Sequence, residues 1–126
     1  MHHRVPAHRA VIHRAAAFAA SFAAAASLVA SVSSCHMLWF LHLASDAGVV
    51  VVEYTDDARG TMEETTDGGG HFTEVVLRPT VTTTTEVEQS RMNALHERAH
   101  ALCYIARSVN FPVRVECRVR YRSSPR

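Results

Sequence analysis

The chain has 126 residues, a net charge of +1 and 48% hydrophobic residues. This length is typical of a single domain with its own core, and the balanced charge excludes bulk disorder and a strongly basic nucleic-acid-binding surface. Three cysteines, Cys35, Cys103 and Cys117, are too few and too widely spaced for a disulfide scaffold. They indicate a cytosolic protein with one or two reactive thiols, although each cysteine could also be a small buried hydrophobe.

The first 30 residues differ in composition from the rest of the chain. Residues 1–14 are basic and His-rich, residues 15–30 are mostly alanine, and the first acidic residue is Asp46. A basic start before an apolar stretch is the outline of a secretory signal, and the segment ending at Cys35 loosely fits a bacterial lipoprotein cleavage site. A lipid-anchored envelope protein is therefore one interpretation. An apolar run follows Cys35, however, where mature lipoproteins usually have a polar tether.

The next elements are a helix and a series of strands. The helix includes at least Ser33 to Ala47, and Gly48 is a suitable residue just past its end. Its apolar face includes Phe40 and Ala44. β-Branched residues and a glycine-rich turn then predict strands at Val49–Thr55, at Arg59–Thr65 and, after the turn at 67–70, one long strand from His71 to about Thr85.

A second helix is predicted from Glu88 to about Val109, followed by a strand from Val113 to Tyr121. Cys103 lies next to the apolar stripe of this helix, so simple core packing explains it as well as chemistry does. The stripe has apolar residues three and four positions apart, at Met92, Leu95, Ala99, Leu102, Ala106 and Val109.

The same helix contains a zinc-protease pattern, H-E-x-x-H, from His96 to His100. On a helix the two histidines would share a face, and Cys103 one turn later would be a third candidate ligand. Arg98 occupies a middle position that zinc-protease helices keep uncharged, and no third ligand follows in the usual place. The sequence therefore predicts no metal site.

Two segments together carry a resemblance to a known family. They are SSCHMLWFLHLASDAG, at 33–48, and LHERAHALCYIARSVNFPV, at 95–113; the segments VVEYTDDARGTME and FTEVVLRPTVT lie between them. They resemble the two cysteine-bearing helices and the linking strands of the OsmC/Ohr family. The resemblance implies an α+β fold, with two long helices packed on a mostly antiparallel sheet. It also implies a domain at 31–126, preceded by a segment at 1–30 that replaces the family's N-terminal strands.

The resemblance also implies a chemistry, the thiol-dependent reduction of organic hydroperoxides in oxidative-stress defence. A Cys35 thiolate would attack the peroxide, and Cys103 would resolve the sulfenic acid as a disulfide. An external dithiol, such as a lipoyl protein, would reduce the disulfide, without metal, haem or flavin. A cytoplasmic homodimer is expected, with no nucleic-acid or membrane partner.

The sequence departs from the family at the residues that activate the thiol. Family members have an activating Arg in N-terminal strands and an orienting Glu at the start of the first helix. Neither can be assigned here, because Arg4, Arg9 and Arg14 have no family context. A wrong start or a shifted reading frame over residues 1 to about 30 would explain this. The alternative function is that of a non-catalytic remnant that binds hydrophobic ligands or only dimerises.

Several side chains near the two thiols have simpler interpretations. His36 follows Cys35, but adjacent helix positions do not face each other. His100 is expected to pack or hydrogen-bond between the helices. Trp39 is expected in the core, although the family's substrate pocket uses this helix, and Cys117 has no counterpart in the family pattern.

Overall fold

The structure is a computed structural model that describes the backbone of residues 2–4 and 15–123 and the side chains of residues 23–123. Arg9 and Arg14 of the basic start therefore lie outside the described residues. In chain order the elements are β1 (His2–Arg4), α1 (Ala15–Asp46), β2 (Val51–Asp56), β3 (Arg59–Glu64), β4 (Gly70–Leu77), β5 (Pro79–Thr83), α2 (Gln89–Leu102), a short 3-10 helix (Ala106–Ser108), β6 (Val113–Val115) and β7 (Arg118–Tyr121).

The strands form two sheets. One has the order β1-β3-β4-β6 and the other the order β2-β5-β7. The longest pairings, β3 with β4 and β2 with β5, are antiparallel, whereas β1, β6 and β7 join their neighbours in parallel. With two helices packed against these sheets, the predicted α+β fold is confirmed.

Two predicted strands are each divided between the sheets. The long strand at 71–85 is β4 followed by β5, and the break lies at Arg78, directly before Pro79. Proline has no N–H to continue a ladder, and the Arg78 N–H turns aside to donate to Asp56 Oδ1 at 2.7 Å. The strand at 113–121 likewise divides into β6 and β7 after Val115. The prediction of two unbroken strands was wrong.

Helix α1 is the central element of the core. Its buried residues, Ala25, Val29, Val32, His36, Phe40 and Ala44, recur every three or four positions. Val29 and Val32 pack against Leu77 of the four-stranded sheet. Further along the helix, Phe40 packs with Val81 and with Met92 of α2. Gly48, with φ +74°, follows the helix end as predicted.

Part of this helix also has the length and composition of a membrane span. The stretch Ala23–Asp46 meets that criterion, which core helices and signal sequences also meet. One side of this stretch is occupied by the buried residues that pack on the two sheets. Its apolar character therefore has an explanation in core packing.

Candidate active site

Cys35 lies at the border of the core-facing side of α1. Its neighbours Val32 and His36 are fully buried, whereas Ser34 is exposed. One residue turns an α-helix by about 100°, so Cys35 lies beside the buried stripe rather than in it. Its thiol is free and half-buried. A side chain in this position is packed on one side and open on the other, which a reactive thiol requires.

Cys103 is the residue at which α2 ends. Its backbone is extended, with φ −66° and ψ 116°, and its N–H donates to the His100 carbonyl at 3.3 Å. The prediction of one helix to about Val109 was wrong, because the chain leaves the helix here and forms only a 3-10 turn at Ala106–Ser108. Cys103 is fully buried. The N–H groups that follow Cys103 lie outside the hydrogen-bond ladder of α2 and can bind other partners.

The structure brings the two sulfurs together. The Cys35 and Cys103 side chains lie close enough to shift each other's pKa, and backbone N–H groups of the turn after Cys103 lie near both sulfurs. Burial raises the pKa of Cys35, but hydrogen bonds from the Ile105 N–H, the Cys103 thiol and the Tyr104 N–H outweigh it, so the pKa is lowered. Burial and the neighbouring Cys35 sulfur raise the pKa of Cys103, in spite of hydrogen bonds from the Ala106 and Ile105 N–H groups.

The stabilisation of the Cys35 thiolate comes from neutral donors. Within the side chains that the structure describes, none of the interactions that set the pKa of Cys35 involves an arginine. Successive backbone N–H groups in a turn form an anion-binding concavity. Their partial positive charges point at the sulfur, so they favour the thiolate as a cation would, although more weakly. No side-chain pattern along the chain indicated these donors.

An apolar cavity of about 600 Å³ opens beside Cys35. Trp39 and Tyr104 meet edge to face in its wall, with ring centroids 5.9 Å apart. Leu38 and Tyr104 are 64% and 69% exposed, which is high for large apolar side chains. Trp39 therefore borders this cavity as well as the core. The cavity is lined by Ser31, Cys35, Leu38, Trp39, His42, Tyr104 and Ile105.

A buried histidine pair connects the two helices behind the cysteines. His36 Nε2 and His96 Nδ1 share a hydrogen bond of 2.9 Å, and their rings are stacked within 4° of parallel. Phe40 stacks on His96, with ring centroids 4.0 Å apart. Burial lowers the pKa of His36 to about 4 and that of His96 to about 3, so both rings are neutral at pH 7. The hydrogen bond between the helices joins His36 and His96. His100 was expected to pack or hydrogen-bond there, and its buried Nδ1 has no hydrogen-bond partner among the described residues, so of the two only packing remains.

His96, the first histidine of the H-E-x-x-H pattern, is buried in this pair. His96 faces the core, whereas Glu97 is exposed. Within the described residues no group of three His, Cys, Asp or Glu side chains could hold a metal ion. The absence of a metal stays a prediction.

Comparison with known proteins decides the family. The family model described as OsmC-like protein matches residues 21–118. A solved OsmC-like protein of unknown function from Vibrio cholerae is 39% identical over 72% of this chain, with a TM-score of 0.66. The chain belongs to the OsmC-like family. The predicted family is thereby confirmed, and the boundary placed at residue 31 stays a prediction.

Other OsmC-like structures share the fold at lower identity. An organic hydroperoxide resistance protein from Elizabethkingia anophelis is 21% identical, with a TM-score of 0.58, over 75% of this chain and 64% of its own. The organic hydroperoxide resistance protein of Bacillus subtilis is 16% identical, with a TM-score of 0.51, over 72% of this chain and 64% of its own. The chain spans 60% of the length of the Vibrio cholerae protein. No curated protein matches the chain at a significant level.

Proposed function

We propose that this OsmC-like chain reduces organic hydroperoxides, with Cys35 as the peroxidatic cysteine and Cys103 as the resolving cysteine. The observation that carries the proposal is the contact between two thiols of opposite pKa shift at an apolar cavity. The family supports it, because members of the same fold are named for organic hydroperoxide resistance.

The first step is the attack of the Cys35 thiolate on the peroxide. The sulfur bonds to the terminal oxygen of R–O–O–H, the O–O bond breaks, and the alkoxide leaves with a proton from solvent as the alcohol. Cys35 becomes a sulfenic acid and is oxidised by two electrons. The lowered pKa of Cys35 increases the fraction of thiolate at neutral pH, and only the thiolate makes this attack.

The second step forms a disulfide. The Cys103 sulfur attacks the Cys35 sulfenic acid, a Cys35–Cys103 bond forms, and the hydroxyl leaves as water with the thiol proton. Because the raised pKa of Cys103 keeps it protonated, it does not compete with Cys35 for the peroxide. The proximity of the two sulfurs makes this step intramolecular, which favours it over attack by a second peroxide.

An external dithiol, such as a lipoyl protein, would complete the cycle by thiol–disulfide exchange and return both cysteines to thiols. The proposed reaction cycle needs no metal, haem or flavin. A cytoplasmic homodimer is the expected setting, since the cytoplasm supplies reduced dithiols.

Peroxide consumption tests this function. The purified chain with dihydrolipoamide should consume cumene hydroperoxide with turnover, whereas Cys35→Ser should consume none above background. Cys117→Ser is the matched control, and it should retain the activity because the Cys117 thiol donates to Asn93 and has no part in the proposed cycle. If Cys35→Ser turned over peroxide as fast as the unsubstituted chain, the proposal would be wrong.

A non-catalytic binder of hydrophobic ligands is the second candidate. The apolar cavity of about 600 Å³ and the lack of an arginine near Cys35 among the described side chains favour it. A non-catalytic binder would bind cumyl alcohol and cumene hydroperoxide with equal affinity and leave both chemically unchanged. The third interpretation, lipid attachment at Cys35, is disfavoured because Cys35 lies inside α1, within a helix packed on both sheets.

A further inference from the structure

Helix α1 contains one of the two cysteines, and α2 ends at the other. The contacts between these helices follow an antiparallel order. Near the end of α1, Arg91 Nη2 of α2 donates to the Ala47 carbonyl at 2.9 Å. Earlier in α1 and later in α2 comes the hydrogen bond between His36 and His96, and the two cysteines lie at the far end. The histidine pair is therefore a contact between the helices on the way to the thiols.

The rest of the buried contact between the helices is apolar. Phe40 of α1 lies in the same buried cluster as Met92 and Ala99 of α2. The hydrophobic effect is not directional, so contacts of this kind hold two helices together without selecting one position of one helix along the other. A contact with a defined geometry is needed to select that position.

The His36–His96 hydrogen bond has such a geometry. It joins Nε2 of His36 to Nδ1 of His96 at 2.9 Å, between rings that lie within 4° of parallel. A slide of one helix along the other by about 3 Å, the rise of two helical residues, would break it and leave both nitrogens buried without a partner. A single buried polar contact is a known means of fixing the register of packed helices.

The positions of the histidines are tied to those of the cysteines along the backbone. His36 directly follows Cys35 in the middle of α1. His96 lies seven residues, about two helical turns, before Cys103, and the residues between them are helical. Because both connections are helical, a change in the register of the histidines would also move the two sulfurs relative to each other.

We propose that His36 and His96 are positioning residues whose hydrogen bond sets the register of α1 on α2 and holds the Cys35 and Cys103 side chains beside each other for disulfide formation. This inference rests on the proposed pairing of the two cysteines, but it concerns the pair itself, with or without a peroxide. Neither histidine lines the apolar cavity beside Cys35. The two rings act through the placement of the helices.

The test is the redox equilibrium of the full chain with glutathione at pH 7. Oxidised glutathione takes two electrons and two protons from the Cys35 and Cys103 thiols and becomes two molecules of reduced glutathione, while the disulfide forms in the chain. Every chain in the test also carries Cys117→Ser, so that no other disulfide can form within it. Acid quenching, alkylation and mass spectrometry give the equilibrium constant.

Two variants of His96 form a matched pair. Leucine and asparagine are similar in size and both lack the ring, but the asparagine amide places a polar atom where His96 Nδ1 lies and can donate to His36 Nε2 or accept from it. His96→Leu should lower the equilibrium constant for the disulfide roughly tenfold or more, because the sulfurs are no longer held in place. His96→Asn should recover most of this loss. Equal constants for the two variants would overturn the proposal.

Two further variants separate positioning from a general loss of stability. Arg91→Met removes the exposed contact at the other end of the helix pair and should leave the constant unchanged. A loss as large as that of His96→Leu would overturn the proposal. The double variant His36→Leu with His96→Leu leaves neither histidine nitrogen buried without its partner, and it should show the same loss as His96→Leu. An unsubstituted value in the double variant would overturn the proposal even where His96→Leu does not fold.

The assay also distinguishes this inference from the proposed function, because no peroxide is present. A chain that does not turn over hydroperoxide but shows the difference between His96→Asn and His96→Leu contradicts the proposed function alone. A chain that turns over hydroperoxide but gives equal constants for the two variants contradicts the positioning role alone.

Discussion

The Cys103 side chain lies beside the Cys35 sulfur, and the pKa of Cys35 is lowered whereas that of Cys103 is raised. Burial opposes ionisation at both sulfurs, so the difference comes from their neighbours. The Cys103 thiol and the N–H groups of Ile105 and Tyr104 stabilise the Cys35 thiolate and lower its pKa. The negative charge on Cys35 disfavours ionisation of Cys103 and raises its pKa. The pair therefore holds one ionisable thiol and one thiol that stays protonated, which is the division that a two-cysteine peroxidase needs.

Removal of the Cys103 thiol should raise the pKa of Cys35. Cys103→Ala deletes the side-chain donor to Cys35 and leaves the backbone donors of Tyr104 and Ile105 in place. The pH dependence of iodoacetamide labelling, followed by peptide mass mapping, measures the pKa of Cys35. The control is Cys117→Ala, which should leave the Cys35 profile where it was. A Cys103→Ala profile that stays unchanged or moves to lower pH would contradict the hydrogen bond.

The apolar cavity predicts a preference among peroxides. Leu38→Ser removes apolar surface from the cavity wall at a position that is 64% exposed, so the fold should tolerate it. A loss of about 1 kcal/mol of apolar contact corresponds to roughly a fivefold lower kcat/KM for cumene hydroperoxide. Activity with hydrogen peroxide, which has no apolar group, should not change. Val50→Ser, at another exposed position outside the lining, is the control; equal losses with both peroxides would contradict a role of Leu38 in binding.

The histidine pair predicts how stability depends on pH. The pKa values of His36 and His96 are lowered by burial to about 4 and about 3, below the value of about 6.5 for an unfolded histidine. The unfolded chain therefore binds more protons between about pH 3 and pH 6.5, and the free energy of unfolding should fall as the pH falls through this window. Thermal unfolding from pH 7 to pH 4 measures it. The double variant His36→Phe with His96→Phe should show a weaker dependence of stability on pH. An unchanged dependence would contradict the histidine pair as its cause.

The same pair predicts a non-additive effect on stability. His96→Phe alone keeps an aromatic ring against Phe40 but leaves His36 Nε2 buried without its partner, which costs about 1–3 kcal/mol. Replacing both histidines by phenylalanine removes the unsatisfied nitrogen and should recover part of that loss. Urea unfolding of the two single variants and the double variant gives the coupling energy. Additive losses would mean that the 2.9 Å contact contributes nothing.

Gly60 allows the close approach of α1 to β3. A Cβ atom at this position would lie 2.7 Å from Val29 Cγ2 and 2.8 Å from Phe72 Cε1. Gly60→Ala should therefore push α1 from the sheet and lower the free energy of unfolding by about 1–3 kcal/mol. Gly69→Ala, in an exposed turn with its nearest atom at 3.3 Å, is the comparison and should cost less. Denaturant unfolding that ranks the two variants in the opposite order would contradict this packing.

Local patterns in the sequence predicted the helices, most strand positions and the end of α1 shortly before Gly48, because apolar spacing and turn residues act over a few positions. The break at Pro79 also had a local signal, since proline interrupts a ladder. The end of α2 at Cys103 had none. Ala106 and Val109 keep the helical spacing although the backbone has left the helix, so only the three-dimensional packing reveals the turn.

The resemblance to the family identified the two cysteines. The structure adds their backbone donors and the contacts between the two helices, which the positions of the cysteines in the sequence do not show. The N–H donors of Tyr104 and Ile105 depend on a backbone turn, which side-chain patterns do not encode. His36 and His96 are 60 residues apart, and each looks like an ordinary core residue by itself. Contacts between distant residues of this kind follow from the packing of α1 against α2.

A single turnover of the reduced chain with one equivalent of cumene hydroperoxide, followed by mass mapping of its peptides, tests the pairing of Cys35 with Cys103 directly. We expect one equivalent of cumyl alcohol and a disulfide between Cys35 and Cys103, with Cys117 still a thiol. If the folded chain leaves the peroxide intact, or forms a disulfide that includes Cys117 instead, the proposed pairing of Cys35 with Cys103 is wrong.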